Sequence, residues 1–266
     1  MAVEVFYRWH RDSLVAVAAP KAHPGSGSSA SPLRAADSWL VDGGKTLALP
    51  LHRARFLDAV DAGGADVADA ARFWEAAIAL VPHTGAWFPR VELDRDQPVL
   101  SLRLREAPER TESVVVATLD GDDPRTIPGT KGPDLERMYI ARKSVAPLGA
   151  GEAVLLTSPG FVVEGAYSGL LWWRGEILCG PPMAFDRVDS VTVRSVLALA
   201  IALGIETFEE PVTPAELDGT ELWALSALHG PRIVTAWIDG PGLAELPGRL
   251  GTWRARLAAL RQPLPG

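Results

Sequence analysis

The chain is poor in cysteine, since Cys179 is the only one among 266 residues. A single thiol excludes internal disulfides and any metal site built from several thiolates. The five histidines also lack the spacing of metal ligands, so we predict no metal site. Because disulfides belong to oxidising compartments, their absence favours a reducing one, and we expect a cytoplasmic protein.

Long apolar runs and a cationic surplus are missing too. The longest apolar run, residues 196–203, is far too short to span a bilayer, and residues 1–13 lack the apolar core of a signal peptide. Lys plus Arg number 26 against 33 for Asp plus Glu, a net charge of −7. Nucleic-acid binding needs cationic surface to displace counterions from phosphates. We therefore expect neither a membrane nor a nucleic-acid partner.

The familiar catalytic motifs are also absent. The sequence contains no P-loop, no G-x-S-x-G elbow, no H-E-x-x-H and no full G-x-G-x-x-G. Residues 25–30 fit a looser dinucleotide pattern, but no helix follows that would hold a pyrophosphate, so we interpret them as part of a loop over residues 20–32. Any function must therefore depend on residues that are scattered along the chain.

Lysine is rare, which narrows the candidates for chemistry that needs a primary amine. The 26 basic residues include only four lysines. They are Lys21, Lys45, Lys131 and Lys143. Lys131 lies in a turn before a predicted helix, where a lysine is usually solvated, and Lys143 lies within that helix.

Apolar periodicity and turn residues predict an α+β chain with two lobes. The predicted strands cover residues 3–9, 13–19, 37–41, 46–49, 90–93, 99–105, 113–119, 153–156, 161–163, 170–173, 176–178, 205–209, 222–225 and 233–238. The predicted helices cover residues 52–62, 66–80, 133–145, 192–203 and 246–261. Turn formers crowd residues 120–132, so we expect a small lobe over 1–119, a linker over 120–130 and a larger lobe over 131–266.

Three segments of the chain carry candidate functional residues in a definite order and spacing. Residues 51–56 (LHRARF) come first, Lys131 and the strand ending in Glu164 follow, and residues 189–197 (DSVTVRSVL) lead into an apolar helix. The spacing is 33 residues from Lys131 to Glu164 and 28 from Glu164 to Thr192. In order and spacing the three segments resemble the class IV aminotransferase family, which includes branched-chain and D-amino-acid aminotransferases and aminodeoxychorismate lyase.

This resemblance implies the two-lobed α+β architecture of fold type IV, with a small N-terminal α/β lobe and a pseudo-barrel sheet in the larger C-terminal lobe. It also implies a homodimer, a small amino-acid-like substrate and the cofactor pyridoxal 5'-phosphate (PLP). Lys131 resembles the lysine that forms the family's Schiff base, with Lys143 as the alternative. Glu164 resembles the glutamate beside the pyridine nitrogen, although a strand glutamate can also simply face solvent.

The cofactor's phosphate needs a cation and backbone N–H donors. Arg55 resembles the family's phosphate-binding arginine, and Val191 and Thr192 resemble its phosphate-binding pair. Their place at the start of a predicted helix favours phosphate binding independently of the resemblance, because a helix start presents unsatisfied N–H groups and the positive end of its dipole. Ser226 and Ala227 resemble a second phosphate-contact segment, although ordinary strand structure explains them equally well.

Two arginines are candidates for binding a substrate carboxylate. Arg103 and Arg105 lie two residues apart on a predicted strand, so their side chains project from the same face. Arg105 is the preferred candidate. The alternative is that both belong to a charged outer face of the sheet.

Several positions depart from the family's pattern. The usual Asn is Gly169, the usual Gly before the phosphate loop is Ser190, and the usual Arg after the threonine is Val193. The segment Ser226-Ala227-Leu228 looks more like that of the lyase than of the aminotransferases. The expected activity is thus a class IV aminotransferase, with aminodeoxychorismate lyase and a PLP-binding protein without turnover as alternatives.

Overall fold

A computed structural model describes residues 3–19 and 33–265. The predicted loop over residues 20–32, which contains Lys21, lies outside the described residues. Contacts divide the chain into unit 1, which comprises Met1–Glu109, Thr130–Glu136 and Leu260–Gly266, and unit 2, which comprises Arg110–Gly129 and Arg137–Ala259. This partition differs from the predicted lobes, since Lys131 and the C-terminal residues group with unit 1. As a statement about folding domains, the division at residues 120–130 stays a prediction.

Five described strands come before the first two helices, and strands and helices follow in mixed order after them. The strands of unit 1 and of the first part of unit 2 are β1 (Glu4–His10), β2 (Ser13–Val17), β3 (Leu33–Ser38), β4 (Val41–Asp42), β5 (Lys45–Thr46), β6 (Ala86–Trp87), β7 (Arg90–Asp94), β8 (Leu100–Arg105) and β9 (Ser113–Thr118). The later strands are β10 (Glu152–Leu156), β11 (Val162–Gly165), β12 (Gly169–Arg174), β13 (Ile177–Gly180), β14 (Thr207–Glu209), β15 (Glu221–Ser226), β16 (Gly230–Ile238) and β17 (Gln262–Pro263). The helices are α1 (Leu49–Ala62), α2 (Val67–Ala79), α3 (Leu135–Val145), α4 (Val191–Ala202) and α5 (Arg249–Ala259).

Unit 1 is built on a five-stranded sheet of described strands in the order β2-β1-β8-β7-β3. The apolar side chains of β7 and β8 face a core shared with α1 and α2, in which the rings of Trp39 and Trp74 are in contact with their centroids 4.7 Å apart. A small sheet of the order β17-β5-β4-β6 brings the C-terminal residues back to this unit. The β4–β5 hairpin turns through Gly43 and Gly44, both with positive φ, which glycine adopts readily.

The other face of the five-stranded sheet is polar. Ser38 on β3 lies opposite Arg90 on β7, Arg90 lies opposite Arg103 on β8, and Arg103 lies opposite Phe6 on β1. Because side chains alternate along a strand, Asp37 points to the opposite face, toward α1. Ser38 therefore lies on the polar face of the sheet, whereas Asp37 lies on the face that packs against α1.

Unit 2 is built on an eight-stranded mixed sheet in the order β11-β10-β9-β16-β15-β12-β13-β14. β9 lies in its interior between β10 and β16, which is why the chain joins unit 2 before the predicted linker. The side chains of Trp172 and Leu222 are fully buried in its main core, and Met138 and Val145 of α3 pack in a second cluster.

The predicted elements are largely confirmed, with shifted ends. α4 begins at Val191 rather than Thr192 because Ser190 caps it, its hydroxyl accepting from the N–H of Val193. α3 begins at Leu135, two residues after the predicted Pro133, because the N–H of Leu135 bonds to Gly132 in a preceding turn. In the part of the chain that the structure describes, no helix is long and apolar enough to cross a membrane.

Candidate functional site

Lys131 belongs to a short segment that is anchored on β3 in unit 1. The backbone N–H of Ala36 donates to the carbonyl of Lys131 over 2.8 Å. Gly132 follows with φ +135°, and a Cβ at this position would lie 2.6 Å from the backbone nitrogen of Ala36. Only glycine permits such a close backbone approach in this conformation. The alternative lysine, Lys143, is exposed on α3, with its Nζ 5.6 Å from the ring centroid of Tyr139.

Arg55 of α1 is held by a buried carboxylate. Its Nε donates to Oδ2 of Asp37 over 2.7 Å, and its Nη2 donates to Oδ1 over 2.9 Å. His52, one turn earlier on the same helix, places Nδ1 2.8 Å from Oδ1. Sequence reasoning assigned no role to Asp37 or His52.

The electrostatics of this cluster keep Asp37 ionised. Burial alone would raise the pKa of Asp37, but the charge of Arg55 and the bond from His52 outweigh it and hold the pKa well below its usual value. Burial lowers the pKa of His52, and the positive charges of Arg55 and Lys131 lower it further, against the opposing effect of Asp37. His52 is therefore neutral at pH 7, and its Nδ1–H donates to Asp37, because an ionised carboxylate can only accept.

The two predicted substrate arginines lie on the polar face of the sheet, as their spacing indicates. Arg103 forms an ion pair with Glu4 and stacks over Phe6, 5.4 Å from its ring centroid. Arg105 donates from Nε to the carbonyl of Phe88 over 3.2 Å and stacks 5.1 Å from the Phe88 ring centroid. Among the described residues Arg105 has no carboxylate within ion-pair distance.

Sequence reasoning missed a third arginine on this face. Arg90 lies across the strand pair from Arg103 and pairs with Glu92. Burial lowers the pKa of Arg105 to about 10, and the like charges of Arg103 and Arg90 contribute. Arg105 stays protonated at neutral pH, so this end of β8 attracts anions.

Glu164 lies on the buried strand β11 of unit 2 and pairs with an arginine. It is 6% exposed, which rules out the solvent-facing alternative. Its Oε1 forms an ion pair with Arg125 and accepts from the N–H of Val188 over 3.3 Å. Arg125 is itself bound to Asp123 through Nη2 over 2.6 Å. Sequence reasoning missed Arg125 because the surrounding turn formers indicate only a linker.

Val191 and Thr192 form the first turn of α4, and both are buried. This turn presents backbone N–H groups that no residue four positions earlier can satisfy within the helix. The three residues that depart from the family's pattern meet here. A Cβ on Gly169 would lie 2.5 Å from Cγ2 of Val193 and 3.5 Å from Cβ of Ser190. The departures at Gly169, Ser190 and Val193 therefore form one packed cluster and are not independent losses.

Ser226 ends β15 and Ala227 begins the turn to β16. The hydroxyl of Ser226 accepts from the N–H of His229 over 3.3 Å. The predicted site residues thus fall into two sets. Unit 1 contains Arg55, Arg103, Arg105 and Lys131, and unit 2 contains Glu164, Val191, Thr192, Ser226 and Ala227.

Solved structures define the class of protein to which this fold belongs. A hypothetical aminotransferase from Mycobacterium tuberculosis in a PLP-bound form superposes with a TM-score of 0.78 at 16% identity, covering 97% of this chain and 98% of that chain. A branched-chain aminotransferase from Thermoproteus uzoniensis gives 0.78 at 19% identity over 98% and 100%. A putative 4-amino-4-deoxychorismate lyase from Legionella pneumophila gives 0.70 at 14% identity over 84% and 90%. The α+β fold is therefore fold type IV, with a curled half-barrel sheet in its C-terminal part.

The comparison of sequences identifies the family to which the chain belongs. The chain matches the family described as amino-transferase class IV over residues 34–237. A putative branched-chain-amino-acid aminotransferase from Methanocaldococcus jannaschii is 32% identical over 90 residues, which span 34% of this chain and 31% of that protein. This chain belongs to the class IV aminotransferase family, which confirms the resemblance.

Proposed function

We propose that the chain is a PLP-dependent aminotransferase that acts on the amino group of a small amino-acid-like substrate. The observation that carries the proposal is the buried ion pair of Glu164 and Arg125. The Glu164 carboxylate also accepts a hydrogen bond from the N–H of Val188, which lies in the loop that enters α4. A carboxylate held in this way is suited to a protonated ring nitrogen. Family membership supports the same assignment.

The chemistry of the donor set fits PLP. Arg55 is suited to bind a phosphate through its guanidinium group, and the first turn of α4 is suited to bind one through its backbone N–H groups, because both are usual phosphate partners. Glu164 can bind the ring nitrogen, and Lys131 supplies a primary amine. Ser226 and Ala227 remain proposed phosphate contacts.

In the proposed mechanism, bound PLP supplies an aldehyde for an incoming amine and a ring that withdraws electrons from the substrate's α-carbon. Lys131 binds the cofactor between turnovers, and its Nζ moves a proton at the substrate's α-carbon. The Glu164 carboxylate would hold the proton on the ring nitrogen, and the ion pair with Arg125 orients that carboxylate. Arg55 binds the phosphate and fixes the cofactor's position.

Arg105 is the proposed anchor for the substrate carboxylate, in preference to Arg103. Glu4 already neutralises Arg103, whereas the charged contacts described for Arg105 include no carboxylate. We expect Arg105→Lys to raise KM for an amino-acid donor about tenfold because a bidentate contact is lost. Arg103→Lys is the matched control on the same strand face and should change KM by less than about twofold.

The decisive experiment is a spectral titration of the purified protein with PLP, followed by borohydride reduction and peptide mapping. We expect a visible absorbance band and a pyridoxyl label on Lys131. Lys131→Arg should abolish both, whereas the matched Lys143→Arg should keep both. Absence of a band in the wild-type protein, or a label on Lys143, would contradict the proposed mechanism.

The same holoprotein separates the three activities. Amino acids added singly should bleach the visible band and yield the corresponding keto acid if the protein is an aminotransferase. Release of pyruvate from aminodeoxychorismate would identify the lyase, which the segment Ser226-Ala227-Leu228 favours. A labelled Lys131 without either reaction would indicate cofactor binding without turnover. The homodimer stays a prediction, which analytical ultracentrifugation of the holoprotein would test.

A further inference from the structure

Arg232 is a buried arginine of unit 2 whose Nε–H has no hydrogen-bond acceptor among the described residues. It lies on β16, and its side chain is 6% exposed. A buried donor without an acceptor costs free energy, and in folded proteins such donors normally bond to protein, water or a bound ion. Arg232 therefore lacks a partner that the described part of the chain does not provide.

Glu152 of β10 lies close to Arg232 but does not supply the missing bond. Its Oε2 is 3.7 Å from Nη2 of Arg232, an ion-pair distance that is too long for a hydrogen bond. The same oxygen accepts from the hydroxyl of Ser168 over 2.9 Å, and Oε1 accepts from the N–H of Tyr167 over 3.2 Å. The carboxylate is thus bound by the turn after β11 rather than by the guanidinium.

Arg142 of α3 brings a second positive charge to the same place. Its Nε donates to the carbonyl of Gly151, next to Glu152 in the chain, over 2.6 Å, and its guanidinium lies 5.5 Å from the ring centroid of Tyr167. Burial lowers the pKa of Arg232, and the charge of Arg142 lowers it further, against the opposing effect of Glu152. Two like charges therefore lie around one carboxylate.

His229 adds an N–H donor in the turn between β15 and β16. Its Nδ1 accepts from the backbone N–H of Thr111 over 3.1 Å, so the neutral ring carries its proton on Nε2. Burial lowers the pKa of this ring, and the charges of Arg232 and Arg142 contribute. At pH 7 the ring is therefore neutral, with its Nε2–H close to both guanidinium groups.

The other charged groups around this ring leave the region positive. Arg254 of α5 donates from Nη1 to the carbonyl of His229 over 2.9 Å and lies 3.4 Å from Glu112. The charges of Arg254 and Arg110 also act on His229. The arginines here outnumber the carboxylates Glu112 and Glu152, and an excess of positive charge attracts anions.

We propose that Arg232, Arg142 and the Nε2–H of His229 form a binding site for a phosphate group in unit 2. The three donors come from α3, from β16 and from the turn before it. Donors from three segments suit the three free oxygens of a phosphate monoester better than a carboxylate, which has two. The site uses none of the residues that we propose for PLP, so it goes beyond the proposed function.

The test must separate this phosphate from that of the cofactor, because Ser226, a proposed PLP contact, is three residues from His229. Equilibrium dialysis with radiolabelled inorganic phosphate is therefore done on the PLP-loaded, borohydride-reduced protein, in which the cofactor is covalently retained. Ionic strength is held constant with chloride. We expect saturable uptake of about one phosphate per chain.

The possible results each decide the proposal. Uptake by the protein without PLP but not by the reduced PLP form would assign these contacts to the cofactor's phosphate and overturn the second site. Competition by glycerol 3-phosphate at lower concentration than by inorganic phosphate would identify a phosphate ester as the preferred ligand, and the reverse order would identify free phosphate. Binding of neither ligand would overturn the site. If the protein binds no PLP, the proposed function fails, and dialysis without PLP still tests this site.

Variants locate the contacts. Arg142 is exposed, so Arg142→Gln should fold, and we expect it to weaken phosphate binding about tenfold or more because a charge-assisted hydrogen bond is lost. Arg137→Gln, at an exposed arginine of the same helix, is the matched control and should change the affinity by less than about twofold. Equal losses in the two variants would indicate general charge attraction and overturn the site.

The histidine provides a second comparison, which does not depend on either arginine. His229→Gln keeps an N–H donor, and we expect it to retain most of the phosphate affinity. His229→Phe removes the donor, and we expect a loss of several-fold. Equal affinities in these two variants would overturn the role of His229.

Discussion

Unit 1 contains a buried carboxylate that holds an arginine, whereas unit 2 contains a buried arginine that holds a carboxylate. In unit 1, Asp37 is fully buried and Arg55 is 14% exposed. In unit 2, the side chain of Arg125 is 4% exposed and that of Glu164 is 8% exposed. In each pair the proposed cofactor ligand, Arg55 or Glu164, is the more exposed member. A buried ion pair is weak evidence for stability, so we infer that these two pairs are retained for the orientation of a functional group.

The largest effect should come from the carboxylate of unit 2. We expect Glu164→Gln to lower the rate of the half-reaction with an amino-acid donor about 100-fold, because an amide does not stabilise the charged form of the ring nitrogen. Stopped-flow bleaching of the visible band measures this rate. Glu176→Gln, at an exposed glutamate of the same unit, is the control. A loss of less than about threefold would break the parallel between the two pairs.

Gly132 tests how firmly the Lys131 segment is anchored in unit 1. We expect Gly132→Ala to lower the free energy of unfolding by about 2–3 kcal/mol, because the new methyl group would meet the backbone of β3 at a φ of +135°. Urea unfolding measures this change. Gly129→Ala, with no atom within 4 Å of its Cβ, is the matched control. Equal stability of the two variants would contradict the anchoring.

Gly169 of unit 2, like Gly132, has no room for a Cβ, but its close neighbour is a side chain rather than the backbone. We expect Gly169→Ala to cost about 1–2 kcal/mol, since its Cβ would lie 2.5 Å from Cγ2 of Val193. Val193→Ala removes that methyl group, so the double variant should recover part of the loss. Purely additive losses in urea unfolding would show that the two positions are not coupled.

Low pH should reduce the free energy of unfolding because of His229 in unit 2. Burial lowers its pKa to about 4, and the charges of nearby Arg232, Arg142, Arg254 and Arg110 contribute. The unfolded chain then binds a proton below pH 6.5 that the folded chain does not, so stability falls as the pH drops from 6.5 toward 4. Solvent screens this partly exposed ring, and we expect a loss of about 1 kcal/mol.

His229→Gln should therefore flatten the pH dependence of unfolding between pH 6.5 and 4. His10→Gln, which changes an exposed histidine of unit 1, is the control and should leave the wild-type slope. Thermal unfolding across this range measures the slope, and an unchanged slope in His229→Gln would refute the assignment.

The smallest effects should come from the helix caps. Asp66 caps α2 in unit 1 with two bonds of 2.8 Å and 3.1 Å, whereas Ser190 caps α4 in unit 2 with one bond of 3.3 Å. We expect Asp66→Ala to cost about 1 kcal/mol and Ser190→Ala about 0.5 kcal/mol in chemical unfolding. A larger loss for Ser190→Ala would mean that its hydroxyl does more than cap the helix.

Local pattern predicted most elements of both units. The alternation of Leu102, Arg103, Leu104 and Arg105 predicts the two faces of β8, and the observed burial follows it. The order of Lys131, Glu164 and Thr192 indicated the family, which the match over residues 34–237 confirms. The roles of the individual site residues stay predictions.

The ion pairs Asp37–Arg55 and Glu164–Arg125 could not be predicted, because the members of each pair are far apart in sequence. Asp37 lies 18 residues from Arg55, and Arg125 lies 39 residues from Glu164. The grouping of Lys131 and the C-terminal residues with unit 1 was also missed, since it depends on a backbone hydrogen bond to Ala36 and on the pairing of β17 with β5. No local pattern encodes such contacts.

The sequence by itself determined the helices and strands, the family and the residue types available for PLP chemistry, because periodicity, capping residues and spacing are properties of the chain alone. Only the tertiary structure decided which charges are paired, which carboxylate binds which arginine, and which departures from the family's pattern pack together. Those outcomes depend on burial and on distances of a few ångströms between segments that meet only after folding.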